Sequence, residues 1–400
     1  MSPAGKDRAR KPRLPAWLTR QVLGLALVSL FTDMGMEMGL PWLPSLLASL
    51  GGGALALGLI DGLADCVAAL LQVFSGRWAD RRGRRPLLVL GHSLSALVRP
   101  LFGLAAGPWQ VVAVRAADRV GKGLRKPSQS SLLEGAAEPG TRGRVFGFND
   151  ALDNAGQMLG PLLGVGLYFL FAGNLRRVLL WALAPGVLTI LAVLVLVREE
   201  GGPPAGGKAP SLSLAPPRQI LPALLPVAVF TLGNASDLFL VKRVLDIGAP
   251  VWSMALLWAG LAAVKVCSAL LGGRLADRLG PRSAISLGWI WYALIYALFA
   301  AVADLKFLCP LFLAYGLFHG LSEGPQKALI GSLAPAGGKA GSYGWLGLCT
   351  GVLALPAGIL FGALWSWRGA PAAFGAGSAL ALCALGLLWI LPRVMLGRRA

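Results

Sequence analysis

Charge is scarce in this chain. Only 14% of its 400 residues are Asp, Glu, Lys or Arg, where a soluble domain carries about a quarter. That shortage excludes an ordinary water-soluble globule, and the 56% hydrophobic content and mean hydropathy of +0.67 agree. Acidic residues are scarcer still, 18 against 37 basic ones. Such an excess can mark a nucleic-acid binder, but here the basic residues recur between apolar stretches instead of forming one patch, so no nucleic-acid partner is expected. Histidine occurs twice, and there is no His-Glu-x-x-His, no Gly-x-Ser-x-Gly and no phosphate-binding loop; "GKGLRK" (121–126) lacks the required glycine spacing. No soluble stretch is long enough for a catalytic or nucleotide-hydrolysing domain, which argues against an enzyme. The five cysteines, Cys66, Cys267, Cys309, Cys349 and Cys383, have no metal-ligand spacing and read as small buried hydrophobes. No metal and no cofactor is expected.

Long apolar runs are abundant. Stretches of about 20 residues, each enough to cross a roughly 30 Å hydrocarbon core, recur along the length. In lipid the backbone must satisfy its own hydrogen bonds, so these are helices. Twelve spans are expected, near 21–49, 54–75, 86–106, 109–133, 143–172, 177–197, 219–245, 251–272, 283–303, 307–333, 341–365 and 370–391. The Gly-, Pro- and Ser-rich stretch 198–218 reads as a linker. The expected organisation is a basic tail (1–20), a six-helix bundle (21–197), the linker, a second six-helix bundle (219–391) and a basic tail (392–400). Lys and Arg concentrate in both tails, the linker and alternate loops, which places these in the cytoplasm. The expected location is a multi-pass protein of the inner (cytoplasmic) membrane. No small-residue cleavage site follows the basic N-terminus, so the first span is expected to be a retained anchor. Trp42, Trp109, Trp252 and Trp367 fall near expected outer ends and fit an interfacial belt.

"GRWADRRGRR" (76–85) returns as "GRLADRLGPR" (273–282). A shift of 197 residues matches Gly76, Arg77, Ala79, Asp80, Arg81, Gly83 and Arg85 with their second copies. A repeat of this size in a helical membrane protein points to a transporter built from two similar bundles. The first phrase resembles the signature between the second and third helices of the major facilitator superfamily, Gly-x-x-x-Asp-Arg-x-Gly-Arg-(Arg/Lys); the second resembles its weaker copy, with Pro281 where Arg84 stands in the first. "GQMLGPLLG" (156–164) resembles the Gly-x-x-x-Gly-Pro-x-x-Gly motif of the family's antiporters, through Gly156, Gly160, Pro161 and Gly164. "GLPWLP" (39–44) resembles the proline-bearing end of its first helix. The resemblance implies an all-α membrane fold of twelve helices in two pseudo-symmetric six-helix bundles. It also implies a conformational gate at Gly76, Asp80, Arg81, Gly83, Arg85, Gly273, Asp277, Arg278 and Gly280, which closes the cytoplasmic side when the path faces outward.

The fourth span carries the strongest signal read from the residues themselves. Arg115, Arg119, Lys122 and Lys126 are spaced 4, 3 and 4, one helical stripe, with Asp118 and Arg125 beside it. A charge at mid-bilayer costs about 2.5–3.5 kcal/mol; six facing lipid would cost on the order of 15 kcal/mol, against folding stabilities of about 5–15. The stripe must face water or opposite charge. Candidate partners in the same half are Asp33 and Glu37 (first span), Asp61 and Asp65 (second), and Asp150, Asp153 and Asn154 (fifth). At about 1.5 Å per residue, Glu37, Asp61 and Arg115 share one level, with Asp33 and Arg119 deeper. The second half offers Asn234, Asp237, Lys265, His319 and Glu323; the 197-residue shift sets Asn234 opposite Glu37 and His319 opposite Lys122. Charge coupling is expected mainly in the first half, and His92 is expected to be structural. The expected activity is alternating-access secondary transport, proton-coupled export of a small anionic or zwitterionic amphiphile by a monomer, with protons and membrane lipid as its other partners. A proton symporter importing an organic anion or metal chelate, and a lipid or lysolipid flippase, remain open.

Overall fold

The computed structural model describes residues 15, 17–137, 141–198, 216–335 and 339–396, without the side chains of residues 76, 77, 79–82, 142, 143, 270, 339, 340 and 392–396. The rest of the tails, and residues 199–215 of the expected linker, lie outside the described residues. Among the described residues are twelve helical rods: α1 (Arg20–Ser49), α2 (Ala54–Arg82), α3 (Arg84–Leu104), α4 (Pro108–Gly135), α5 (Arg142–Leu170) and α6 (Leu175–Leu196), then α7 (Leu221–Asp246), α8 (Val251–Leu279), α9 (Pro281–Ala301), α10 (Leu305–Leu333), α11 (Lys339–Arg368) and α12 (Ala370–Leu396). Among the described residues, ten are long and apolar enough to cross a membrane. The other two, α4 and α5, are equally long and carry the charges discussed above.

Local chemistry sets the ends. Thr19 caps α1 by accepting from Val22 N, and Asp304 caps α10 by accepting from Lys306 N. The repeated phrase is where α2 turns into α3 and α8 into α9. Its glycines Gly83 and Gly280 have φ of 93° and 84° with ψ near 153°, a region essentially reserved for glycine. Gly83→Ala and Gly280→Ala are each expected to cost about 1–3 kcal/mol, read as a lower unfolding midpoint of the purified protein.

The first six rods pack among themselves and so do the last six. The halves meet along two seams, α2 against α11 and α5 against α8, which the internal repeat interchanges. The seams are built differently. Gly58 and Gly62 of α2 face Gly358 and Ala354 of α11, with no room for a side chain: a Cβ on Gly62 would stand 2.7 Å from Ala354 O, and one on Gly362 the same distance from Ala54 O. Backbones therefore touch directly, as small residues allow in membranes. The α5–α8 seam instead rests on side chains, with Phe169 against Trp252 and Val165 and Tyr168 clustered with Val251 and Ala255. The glycines of the α5 motif turn away from that seam and onto α1, where a Cβ on Gly160 would lie 2.5 Å from Met34 O.

Two rods are interrupted at equivalent places. α1 leaves α-helical geometry after Glu37 and passes through a 3₁₀ turn at Leu40–Trp42. α7 breaks between Gly233 and Leu238, leaving Asn234, Ala235, Ser236 and Asp237 outside its two helical segments. The turn in α1 carries the chain on to Ser49, so Trp42 lies inside the bundle. It is fully buried, stacks on Tyr168 at 5.2 Å and donates to Met38 O. The expectation that Trp42 belongs to an interfacial belt is therefore corrected, while Trp109, Trp252 and Trp367 are exposed. The cysteines are likewise not buried: Cys267 and Cys383 are exposed and the other three half-buried, all as free thiols.

Candidate functional site

Between the halves lies a cavity of about 1190 Å³. Its deep end is formed by Glu37, Leu40, Asp61, Trp258 and the α7 break. From there the lining runs along α4 from Arg115 to Ser131, along α10 from Phe318 to Lys327 and along α11 from Gly358 to Tyr343, reaching Arg84 at the start of α3. It therefore extends toward the end of the molecule that carries the α2–α3 and α10–α11 connections. At the other end the tips of α1 and α7 pack together, with Leu43, Leu46, Leu238 and Val241 buried in one apolar cluster.

Of the α4 stripe, Arg115, Arg119 and Lys122 line this cavity, and Lys126 is exposed nearer the helix end. Arg115 sends Nε and Nη2 to Asp61 Oδ1 at 3.0 and 2.8 Å. The other oxygen, Asp61 Oδ2, accepts from Ser236 Oγ in the α7 break at 2.5 Å. One carboxylate thus uses each oxygen for a different half. Arg119 is held more loosely, with Nε 3.8 Å from Asp65 Oδ1 and Nη1 against Met36 Sδ. Lys122 has no carboxylate within 4.0 Å among the described residues. Glu37 Oε2 accepts from Trp258 Nε1 of α8 at 2.7 Å, a second hydrogen bond between the halves.

In the C-terminal half, Asp237 accepts from Lys265 Nζ at 2.8 Å and from Tyr315 OH at 2.7 Å. His319 Nδ1 lies 2.8 Å from Glu323 Oε1, and its Nε2 lies 3.8 Å from Asp237 Oδ2. Asn234, Asp237, Lys265 and Glu323 line the cavity; His319 stands just behind them, its ring against Tyr315 and Phe318. The aromatic residues Phe230, Phe318 and Trp258 complete this wall. Phe230 is fixed by stacking on Trp289 at 4.8 Å.

Four expected site residues lie elsewhere. Asp118 is buried behind α4, where Arg99 Nε donates to its Oδ1 at 2.9 Å; Arg99 Nη1 in turn donates to Thr32 O. It faces the protein interior between α3 and α4, since burial of Arg99 demands a counter-charge there. Asp33 sits on the α1–α5 face, where Gln157 Nε2 donates to it at 3.1 Å and to Asp153 at 3.3 Å. Asp150 is exposed on α5, and Asn154 Nδ2 donates to its backbone carbonyl. None of the four lines the cavity: Asp118 turns to Arg99 of α3, Asp33 to Gln157 of α5, and Asp150 and Asn154 lie on α5 outside the lining. His92 is buried, with Nδ1 3.2 Å from Thr32 Oγ1. At the expected gate, Arg85 Nη2 donates to Leu194 O, Asp277 and Arg278 are exposed, and the side chains of Asp80 and Arg81 lie outside the described residues. Sequence reasoning passed over Arg99, Ser236, Trp258 and Tyr315. Arg99 alone had a usable signal, a single charge inside an apolar span.

A twelve-rod, two-bundle architecture with a charged chamber at its centre narrows the possibilities to transporter folds, and the sequence decides between them. Residues 25–349 match the family model described as Major Facilitator Superfamily. The chain belongs to the major facilitator superfamily. Among its relatives is the "Uncharacterized MFS-type transporter MJ1317" of Methanocaldococcus jannaschii, 30% identical over 356 residues that cover 87% of this chain and 89% of the relative. The "Multidrug resistance protein MdtG" of Dickeya zeae is 27% identical over 266 residues, covering 63% and 64%. The fold also matches the crystal structure of a bacterial homolog of the human lysosomal transporter Spinster, with a TM-score of 0.77 at 17% identity over 96% of this chain and 99% of that one. This major facilitator transporter thus carries its family's fold with a chamber whose two walls differ, guanidinium and ammonium groups on α4 facing aromatic rings on α7, α8 and α10.

Proposed function

We propose that this major facilitator transporter exports a small anionic or zwitterionic amphiphile in exchange for protons, and that the chamber is its inward-facing binding state. The observation that carries the reading is the pairing of unlike walls. Arg119 and Lys122 present cationic groups without close, optimal carboxylate partners, suited to an anionic head; Phe230, Phe318 and Trp258 present an apolar surface suited to a hydrocarbon or aromatic body. Carboxylates that also face the chamber, Glu37, Asp61, Asp65 and Glu323, supply groups able to trade a cationic partner for a proton. The bias of Lys and Arg puts the open end in the cytoplasm. Asp277 and Arg278 hold no ion pair among the described residues, as suits a gate that is parted while the chamber opens on its side. Likeness to proteins named for multidrug resistance and the α5 glycine motif favour export.

The test is a thermal-shift series on purified protein with short-chain alkyl phosphates, alkyl carboxylates and alkylammonium ions. Anions and zwitterions are expected to raise the unfolding midpoint and simple cations are not. Arg119→Ala is expected to lose most of the stabilisation by the best anion; full retention would remove Arg119 from the site. Counterflow of that anion in liposomes, under pH gradients of either sign, then fixes direction: acceleration by an opposing gradient supports exchange, and acceleration by a parallel one supports import.

A further inference from the structure

We propose that Glu323, His319 and Asp237 form a proton relay that leads from the chamber to the break in α7, an inference that rests on the proton-coupled reading above. His319 lies between two carboxylates of unlike surroundings. Both line the chamber, but Glu323 on one side is 62% exposed, whereas Asp237 on the other is 20% exposed, is held by Lys265 and Tyr315, and ends the α7 break. The imidazole touches Glu323 through Nδ1 at 2.8 Å. Its Nε2 is buried, has no hydrogen-bond partner among the described residues, and lies 3.8 Å from Asp237 Oδ2. A buried, unpartnered ring nitrogen needs an explanation, and transient donation to Asp237 provides one.

The chemistry balances. A proton on the Glu323 carboxyl passes to Nδ1 of the neutral ring, and the Nε2 proton passes to Asp237 Oδ2. Glu323 is left ionised, Asp237 neutral and the ring neutral in its other tautomer, so one proton has entered and one has left. Between Glu323 and Asp237, the His319 ring is the group placed to accept at one nitrogen and release at the other without carrying net charge afterwards. Neutral Asp237 no longer holds Lys265 Nζ as an ion pair, and Lys265 then faces Glu37 and Glu323. The next residue, Ser236, makes the hydrogen bond to Asp61 across the halves. The relay therefore ends one residue from a contact that joins the two bundles.

The groups facing the ring come from several rods. Tyr315 and Lys327 share its helix; Tyr315 donates to Asp237 and stands edge-on to the ring at 5.3 Å. From α7 come Asp237 and Asn234, and from α8 Lys265. Behind Tyr315, Tyr292 and Tyr296 of α9 fill the core. Glu37 of α1, Asp65 of α2, and Arg119 and Lys122 of α4 face it across the chamber.

The experiment needs no substrate. Protein reconstituted in liposomes is given a pH jump, and the carboxylic-acid C=O stretch is followed by time-resolved infrared spectroscopy. Asp237→Asn is expected to remove one band, which assigns it. In His319→Gln that band is expected to appear about a hundredfold more slowly, the lower end of what a positioned acid–base group contributes, with its final amplitude kept. An unchanged rate in His319→Gln, or no band lost in Asp237→Asn, would overturn the relay. If His319→Gln does not fold, Glu323→Gln serves instead, with the same slowing expected and the same result against it. Failure of the transport reading would appear separately, as absent counterflow with proton movement intact.

Discussion

Replacing Asp118 by alanine is expected to cost about 3–5 kcal/mol, the range for removing one partner of a buried ion pair, and to abolish recovery of monodisperse protein. The reason is the company Asp118 keeps. Arg99 donates to it at 2.9 Å and Arg115 Nη1 stands 4.0 Å away, with Arg99 and Asp118 both almost wholly buried. Without the carboxylate, the Arg99 guanidinium is left buried between α3 and α4 with no counter-charge among the described residues, and Arg115 keeps only Asp61. Removing the opposing charge as well should reverse much of the loss, because a buried pair exchanged for apolar side chains is often near neutral. Asp118→Leu combined with Arg99→Leu is therefore expected to recover most of the unfolding midpoint, leaving only the residual effect on Arg115. Equal damage in the single and double variants would show that the pair is not what holds this region.

Removing the two hydrogen bonds that join the halves is expected to move the protein out of the state described here. Among the described residues, the side-chain hydrogen bonds between halves are Ser236 to Asp61 and Trp258 to Glu37. Hydrogen bonds to charged acceptors contribute about 1.5–3 kcal/mol each, and each 1.4 kcal/mol is a factor of about ten. Ser236→Ala with Trp258→Phe should therefore shift the balance of conformers by roughly 10²–10⁴. Spin labels at Ser49 and Asp246, both exposed at the closed end, in a background lacking the five cysteines, would report it as a longer distance population. Ser236→Thr keeps the hydroxyl and should retain the short one. If the double variant leaves the distances unchanged, the apolar packing of Leu43, Leu46, Leu238 and Val241 seals that end by itself.

The chamber wall on α4 was legible because charge inside an apolar helix has one physical outlet. Arg115, Arg119 and Lys122 had to meet water or carboxylates, and they do. The same reasoning applied to Arg99 and was missed because that residue stands alone in its span. Depth counting put Glu37, Asp61 and Arg115 at one level, and the Arg115–Asp61 bond agrees. It says nothing of direction around the helix, so it does not separate Asp33, Asp150 and Asn154, which lie outside the chamber lining, from Glu37 and Asp61, which form it. Ser236 and Trp258 could not be found this way. Their partners lie 175 and 221 residues away, and a serine or tryptophan in an apolar stretch carries no sign of what it will bind. Trp42 stands seven residues before the end of its own span at Ser49 and packs on Tyr168 of α5, so it does not reach the interface. Gly83 and Gly280 stand at the same place in the two copies of the repeated phrase, and both have a backbone that essentially only glycine adopts.

The bare glycine contact between α2 and α11 works like the spine of a book. Two backbones that touch without side chains between them can roll over one another while losing little packing, whereas the α5–α8 edge must separate Phe169 from Trp252 before it can part. The pages therefore turn about one margin, and a bulky residue bound into that margin at position 358 would jam the binding while leaving both leaves intact.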